Sequence, residues 1–238
     1  MNILITGATS GIGEQVARDY AAAGHQVWVC GRNQEKLSQL AALGDVHPLQ
    51  FDVTDTKQCQ QHLGGLQGLD LVILSAGVCE YIDYAQHFEV ELVERVFQAN
   101  FFGMVNCAQS LLPNLSKGSK LVFIDSMSRL LPFTRAQAYG ASKAATFYFA
   151  KSLGVDLKPK GIEVVTVSPG FVKTPMTDAN DFAMPMRVTV AQASAALRSQ
   201  LAKGRRTIYF PRVFGWILRF MHKLPTAMQL WLAQRMKD

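Results

Sequence analysis

Apolar residues along this chain return in two alternating rhythms. Asn2 to Thr6 (NILIT) and Gln26 to Cys30 (QVWVC) are short runs rich in β-branched residues. Between them, from Ile12 to Ala23, apolar residues and alanines recur with a helical period until Gly24 stops the pattern. Strand, glycine turn, helix and second strand fit within about thirty residues, the length a parallel crossover needs. The alternation continues, predicting strands at His47 to Phe51, Leu69 to Leu74, Lys120 to Asp125, Ile162 to Val167 and Thr207 to Tyr209, with helices between. Seven strands interleaved with helices predict an α/β fold, a doubly wound parallel sheet flanked by helices on both faces.

Two predicted helices, around Glu89 to Leu112 and Gln137 to Leu157, are apolar on more than one face. The first carries Val93, Val96, Phe97, Phe101, Phe102, Met104 and Val105, the second Phe147, Tyr148 and Phe149. One face of each packs on the sheet; the other either stays exposed or is covered by a partner subunit in a homodimer or homotetramer. The chain contains no internal repeat, low-complexity tract or Pro/Ser linker. Residues 1–238 are therefore read as one Rossmann-type domain, with 203–238 as a basic amphipathic C-terminal extension.

Composition narrows the class. With 49% hydrophobic and 18% charged residues the 238-residue chain is excluded from disorder. Four cysteines without a CxxC pairing and five scattered histidines suggest neither a disulfide framework nor a metal site, and the thiols suit a reducing cytoplasm. No run approaches the roughly 18 apolar residues that cross a bilayer, and the start of the chain lacks the pattern of an export leader. A cytoplasmic protein is expected. The net charge of +6 is local: residues 203–238 hold eight Lys+Arg against one acidic residue, and residues 1–202 hold sixteen against seventeen. A basic tail is not a nucleic-acid footprint over the whole domain.

Candidate chemistry begins at Thr6 to Gly13, TGATSGIG. Between a strand and a helix, glycines 7, 11 and 13 permit a tight turn, let a pyrophosphate approach the backbone and leave it facing the helix N-terminus. Gly7, Thr9, Ser10, Gly11, Ile12 and Gly13 are the candidate cradle. No Lys-Ser/Thr pair follows, so the turn is not a P-loop. After the second strand, where an acidic residue would hold ribose hydroxyls, the chain has Gly31, Arg32 and Asn33. A carboxylate would repel a 2'-phosphate and Arg32 offers it a planar cationic fork, so NADP(H) is favoured over NAD(H).

The fifth strand leads into Asp125, Ser126, Met127 and Ser128, and thirteen residues past Ser126 stand Tyr139 and, one helical turn on, Lys143. A phenol with a pKa near 10 is a poor base unless a cation stabilises its phenolate. Lys143 is the candidate cation, and Ser126 can hydrogen-bond the oxygen that Tyr139 protonates or deprotonates. Ser128 is a decoy disfavoured by the spacing.

With these motifs in order, together with Asp52-Val53, Ser75-Ala76-Gly77, Asn100 and Pro169-Gly170, the chain resembles a classical short-chain dehydrogenase/reductase over residues 2–210. The resemblance implies that Asn100, Ser126, Tyr139 and Lys143 form a catalytic tetrad, Asn100 bracing a helix bend. It implies that Asp52 and Val53 contact adenine, that Ser75, Ala76 and Gly77 border the cofactor ribose, and that Pro169, Gly170, Val172 and Thr174 meet the nicotinamide side. Tyr139 and Lys143 would touch the cofactor as well. Two departures stand out: Ser75 replaces a common asparagine, and Asp125 replaces a common serine before Ser126.

The segment Thr174 to Thr189 occupies the place of a substrate lid, with Met176, Phe182, Met184 and Met186 giving an adaptable apolar lining or simply packing on the body. The tail joins Arg205-Arg206 to Phe214, Trp216, Ile217, Leu218, Phe220 and Met221, breaks at Pro225 and resumes with Leu230, Trp231 and Leu232. Packing on its own fold or on a partner is favoured there over peripheral membrane contact. The favoured function is an NADP(H)-dependent oxidoreductase acting on a small, apolar carbonyl or secondary alcohol, with Tyr139 as acid/base. The alternative is a non-catalytic NADP(H)-binding sensor or scaffold recruited to a membrane by its tail. Such proteins typically lose the tyrosine or lysine, and both are present here.

Overall fold

A computed structural model of the chain describes residues 1–178 and 180–235. Ala179, within the expected lid, and the last three residues of the tail lie outside the described residues. The strands are β1 (Asn2–Thr6), β2 (Gln26–Gly31), β3 (Val46–Gln50), β4 (Leu71–Leu74), β5 (Lys120–Ile124), β6 (Glu163–Pro169) and β7 (Thr207–Phe210). They pair in parallel as one seven-stranded sheet in the order β3-β2-β1-β4-β5-β6-β7. The helices in chain order are α1 (Gly11–Ala22), α2 (Gln34–Ala41), α3 (Thr56–Leu63), α4 (Val90–Phe97), α5 (Gly103–Leu111), α6 (Gln137–Leu157), α7 (Pro175–Asp178), α8 (Val190–Ala202), α9 (Arg212–Met221) and α10 (Thr226–Arg235).

The two-residue period of the strands divides their side chains between two cores. On one side Ile3 and Ile5 of β1 pack with Val16 and Tyr20 of α1, Leu37 of α2 and Leu197 of α8. On the other, Leu4 packs with Leu63 of α3, Met104 of α5 and Ala150 of α6. The chain order reverses beside β1, whose neighbours are β2 and β4. Connections leaving β1 and β4 diverge to opposite faces there, and a crevice opens beyond the strands' carboxyl ends.

The predicted long helix from Glu89 to Leu112 is not continuous. A π-helical turn, Gln98–Phe102, separates α4 from α5. The wider turn admits an extra residue and turns Asn100 fully into the interior. On α6 the three successive aromatics part ways. Phe149 meets Phe101 and Phe123, Phe147 lies beneath the Arg129 guanidinium, and Tyr148 remains 78% exposed. The start of the tail packs on the chain's own fold: Leu218, Phe214 and Met221 of α9 join Met127, Leu130 and Leu131 in a third apolar cluster. No helix among the described residues is long and apolar enough to cross a membrane.

Candidate active site

The glycine turn connects β1 to α1 and needs its glycines for distinct reasons. Gly7 and Gly11 have φ of 65° and 57°, the left-handed region that L side chains rarely adopt. A Cβ on Gly7 would also stand 2.7 Å from the Ala76 backbone, and one on Gly13 would stand 2.3 Å from the Gly7 carbonyl oxygen. The loop is thus pressed between its own helix and the end of β4. Thr9 leans over Gly31, where a Cβ would lie 2.6 Å from the Thr9 methyl, and Ile12 packs into the first core. Ser10 precedes α1 in extended conformation without capping it through its side chain, so the first amides of the helix are left for another acceptor. Substituting Gly13→Ala forces backbone against backbone, and a loss of about 1–3 kcal/mol is expected, read as a lowered Tm in a thermal melt.

The hydroxyl of Thr6 accepts from the amides of Ser75 and Ala76, at 3.1 and 3.3 Å, and ties the end of β1 to that of β4. The link between the two strand ends is thus made by a threonine side chain and backbone amides. Gly77 follows, and a Cβ there would come within 2.8 Å of Asn100 Oδ1 and 3.4 Å of Lys143 Nζ.

Ser126, Tyr139 and Lys143 line one cleft of about 160 Å³ together with Gly7, Ser10, Gly11, Ile12, Ser75, Gly77, Pro169, Gly170, Val172 and Thr174. Ser128 is not among its lining residues. Ser126 begins a single 3-10 turn and accepts the Ser128 amide at 3.1 Å, and its hydroxyl lies near enough to the Tyr139 phenol to favour its ionised form. Lys143, only 4% exposed, donates from Nζ to the Ile124 carbonyl at 3.1 Å and lies 5.7 Å from the Tyr139 ring centre. Burial pushes its pKa down to about 8 against the pull of the Asp125 charge.

The phenol departs from the sequence expectation. Burial raises the Tyr139 pKa above its ordinary value, and the Ser126 hydroxyl opposes only part of that rise. The Lys143 ammonium is engaged by the Ile124 carbonyl, and burial outweighs what lowers the phenol pKa. In this state the Tyr139 phenol stays protonated across the neutral range.

Asn100 anchors two segments at once. Its Oδ1 accepts the Val78 amide at 2.7 Å, while its Nδ2 donates to the Val78 carbonyl at 2.9 Å and to Ser142 Oγ at 3.0 Å. Thr146 completes the brace by donating to the Asn100 carbonyl at 3.2 Å. The loop after β4 is thereby fixed to α6 beside Lys143. Ser142 and Thr146 were not singled out by the sequence, although they share the helical face of Lys143.

Arg129 was missed as well. Its Nε lies 3.2 Å from Asp125 Oδ1, and its Nη2 donates to Tyr209 Oη at 2.9 Å and Ser168 Oγ at 3.3 Å. The guanidinium covers the Phe147 ring. Burial pushes the Asp125 carboxyl up to about 6 despite that cation. The four-residue spacing of Asp125 and Arg129 was visible in the sequence, but Ser168 and Tyr209 come from β6 and β7.

At the other end of the crevice, Arg32 extends from β2 with its side chain 74% exposed and pairs loosely with Asp52 at 3.5 Å. Arg32, Asp52, Thr54 and Val78 border a broad open groove that continues from the cleft along α4. Asn33 is committed differently: its Oδ1 accepts the Lys36 amide at 3.0 Å and caps α2. Val53 packs against Gly103, where a Cβ would stand 2.7 Å away, and its carbonyl accepts from Asn106 at 3.0 Å.

The expected lid is pinned at its base by paired backbone bonds between Lys173 and Val188 and between Val188 and Phe171, at 2.8 and 3.0 Å. Thr174 stands over the glycine turn, its methyl 3.1 Å from where a Gly11 Cβ would be. Phe182 packs edge-on against Tyr81, Asn180 reaches the sulfur of Met184, and Arg187 pairs with Asp178. Met176 and Met186 are exposed.

A glycine cradle that excludes side chains, uncapped helix amides and an adjoining cleft fit a dinucleotide. Comparison with known proteins agrees. The family profile described as short chain dehydrogenase matches residues 1–183. An "uncharacterized oxidoreductase" of Myxococcus xanthus (strain DK1622) is 31% identical over 248 residues, covering 98% of this chain and 96% of its own. A serine 3-dehydrogenase of Agrobacterium fabrum is 33% identical over 182 residues, 74% of this chain and 73% of its own. The solved closed form of serine dehydrogenase complexed with NADP+ superposes with a TM-score of 0.79 at 26% identity, covering 88% of this chain and 94% of that one. Both the length of the profile match and the near-complete alignment with an oxidoreductase lead to one assignment: the chain belongs to the short-chain dehydrogenase family.

Proposed function

We propose that the chain is an NADP(H)-dependent oxidoreductase that interconverts a carbonyl and a secondary alcohol, with Tyr139 as the acid/base. The observation that carries this reading is the shared cleft, in which Ser126, Tyr139 and Lys143 face the glycine turn. When bound, the nicotinamide supplies the hydride and with it the hard redox chemistry. Ser126 and Tyr139 hold the substrate oxygen between two hydroxyls, and the phenol proton passes to that oxygen as charge develops on it. In the oxidative direction Tyr139 starts as the phenolate and takes the proton of the alcohol. Lys143 holds the ribose side of the cofactor and refills Tyr139, while Asn100 keeps the loop at Val78 and the helix at Ser142 in register.

The pyrophosphate belongs on Gly7, Thr9, Ser10, Gly11, Ile12 and Gly13, the adenine against Asp52 and Val53, and the nicotinamide side along Pro169, Gly170, Val172 and Thr174. Ser75, Ala76 and Gly77 pass beneath the ribose. Arg32, exposed and only loosely paired with Asp52, meets a 2'-phosphate with a planar cation, a preference in keeping with the NADP+ bound to the serine dehydrogenase relative. Asn33 contributes through its backbone, since its side chain caps α2. Residues 1–238 act as one domain, and the exposed Tyr148 and Val155 of α6 give a second copy a surface to cover in a homodimer or homotetramer.

The test of activity is a panel of carbonyls and alcohols followed by the absorbance of reduced nicotinamide, run with both cofactors. Turnover with NADPH is expected; none with any member and either cofactor would refute the reading. Cofactor choice is tested separately. Arg32→Ala removes a charge-assisted contact worth about 1.5–3 kcal/mol, so KM for NADPH should rise roughly 10- to 150-fold with kcat and KM for NADH little changed. Equal changes for both cofactors would remove Arg32 from 2'-phosphate recognition.

A further inference from the structure

We propose that α9, assisted by α10, seats this protein on the surface of an anionic lipid bilayer. From Lys203 to Arg235 the chain carries seven Lys+Arg and no Asp or Glu. One arc of α9 is consumed by its own fold: Gly215 and Leu218 are buried, Phe214 and Met221 join the third cluster, and the ring of His222 donates to the Leu130 carbonyl at 2.7 Å. The opposite arc remains open. Val213, Trp216 and Phe220 are 62%, 68% and 58% exposed, and the last two rings stack on each other in solvent.

A helix turns by about 100° per residue, so those three apolar side chains form one stripe and Arg212, Arg219 and, just past the helix end, Lys223 form the stripe beside it. Apolar and cationic side chains in adjoining stripes meet the acyl boundary and the headgroups of a bilayer at the same time. In α10, Met228, Leu230 and Trp231 are about half exposed, and the Arg235 guanidinium stacks on Trp231 at 4.2 Å. The charge pattern speaks against a second copy here. A two-fold contact centred on this face would bring the three cations of one copy close to those of the other, with no Asp or Glu between Lys203 and Arg235 to offset them.

The docked helix adjoins the substrate side of the cleft. Phe214 of α9 lies 5.8 Å from Phe171, Phe171 6.2 Å from Phe182, and Phe182 5.5 Å from Tyr81, centre to centre. This aromatic run leads from the bilayer-facing helix toward the loop after β4. A membrane-dissolved, chain-bearing carbonyl or alcohol is the substrate class it fits. That consequence rests on the oxidoreductase reading; the docking itself does not.

The experiment is flotation of the full-length protein with vesicles of phosphatidylcholine alone or with about a third phosphatidylglycerol. Binding at least tenfold stronger to the anionic vesicles is expected, weakening as salt is raised. Each cation near such a surface contributes roughly fivefold, so Arg212→Gln with Lys223→Gln should weaken binding roughly 30-fold. Trp216→Ser with Phe220→Ser should weaken it at least tenfold at unchanged secondary structure. Tyr139→Phe should bind as wild type, which separates failure of docking from failure of the catalytic reading. No preference for anionic vesicles would overturn the proposal. So would stronger binding to a nucleic-acid duplex, or a Trp216/Phe220 double variant that only splits a dimer in sedimentation. Should either double variant fail to fold, the lipid and salt dependence of the wild type decides.

Discussion

Replacing Tyr139 by phenylalanine is expected to lower kcat by roughly 10²–10⁴-fold, the usual contribution of a positioned acid/base group. The ring and its packing on α6 are retained, and only the hydroxyl is removed. NADPH affinity, measured by fluorescence titration, should therefore change little, and a melt should show a loss of no more than about 1 kcal/mol. Turnover near the wild-type rate would exclude the phenol as proton donor. A pH profile adds a second readout. Burial keeps the phenol protonated across the neutral range, so the reductive rate should be steady there. It should fall above about pH 8, where Lys143 loses the charge with which it refills Tyr139.

The largest stability effect is expected at Arg129. Arg129→Met leaves the Asp125 carboxylate in the interior with its Oδ1 stripped of its partner, and Oδ2 already meets no donor among the described residues. Breaking a buried pair in this way costs about 3–5 kcal/mol. At roughly 2–4 °C per kcal/mol for a chain of this size, Tm should drop by on the order of 10 °C.

The loss depends on pH in a defined direction. The folded-state pKa of Asp125, about 6, lies above its unfolded value of 3.8. Its protonation therefore favours the fold below about pH 4, and that contribution fades as pH rises through 6. Without the opposing guanidinium the folded pKa moves higher still, so the variant should be weakest at pH 8 and least impaired at pH 5. Asp125→Asn in the same chain should recover most of the stability. If the double variant were as unstable as Arg129→Met alone, the cost would lie in the lost Phe147 and Tyr209 contacts and not in the orphaned charge.

Much of the site was legible because its signals are local. The turn needs glycine at 7, 11 and 13 whatever surrounds it, and Tyr139 and Lys143 share a helical face by spacing alone. The interruption at Asn100 followed from the family resemblance and not from periodicity, since an inserted π turn leaves the apolar pattern of Glu89 to Leu112 continuous. The rise of the Tyr139 pKa is not legible for a related reason. One turn of helix sets the distance to Lys143, but the burial that raises the phenol pKa is set by segments distant in the sequence.

Sequence by itself determined the alternation of strands and helices, the glycine turn and the spacing of Ser126, Tyr139 and Lys143, because periodicity and turn chemistry act within a few residues. Tertiary structure alone decided the strand order, the enclosure of Asp125 and Arg129 by residues of β6 and β7, and which arc of α9 is spent on the core. Those outcomes depend on which distant segments become neighbours in the sheet, a competition between burial and chain connectivity that no local pattern encodes.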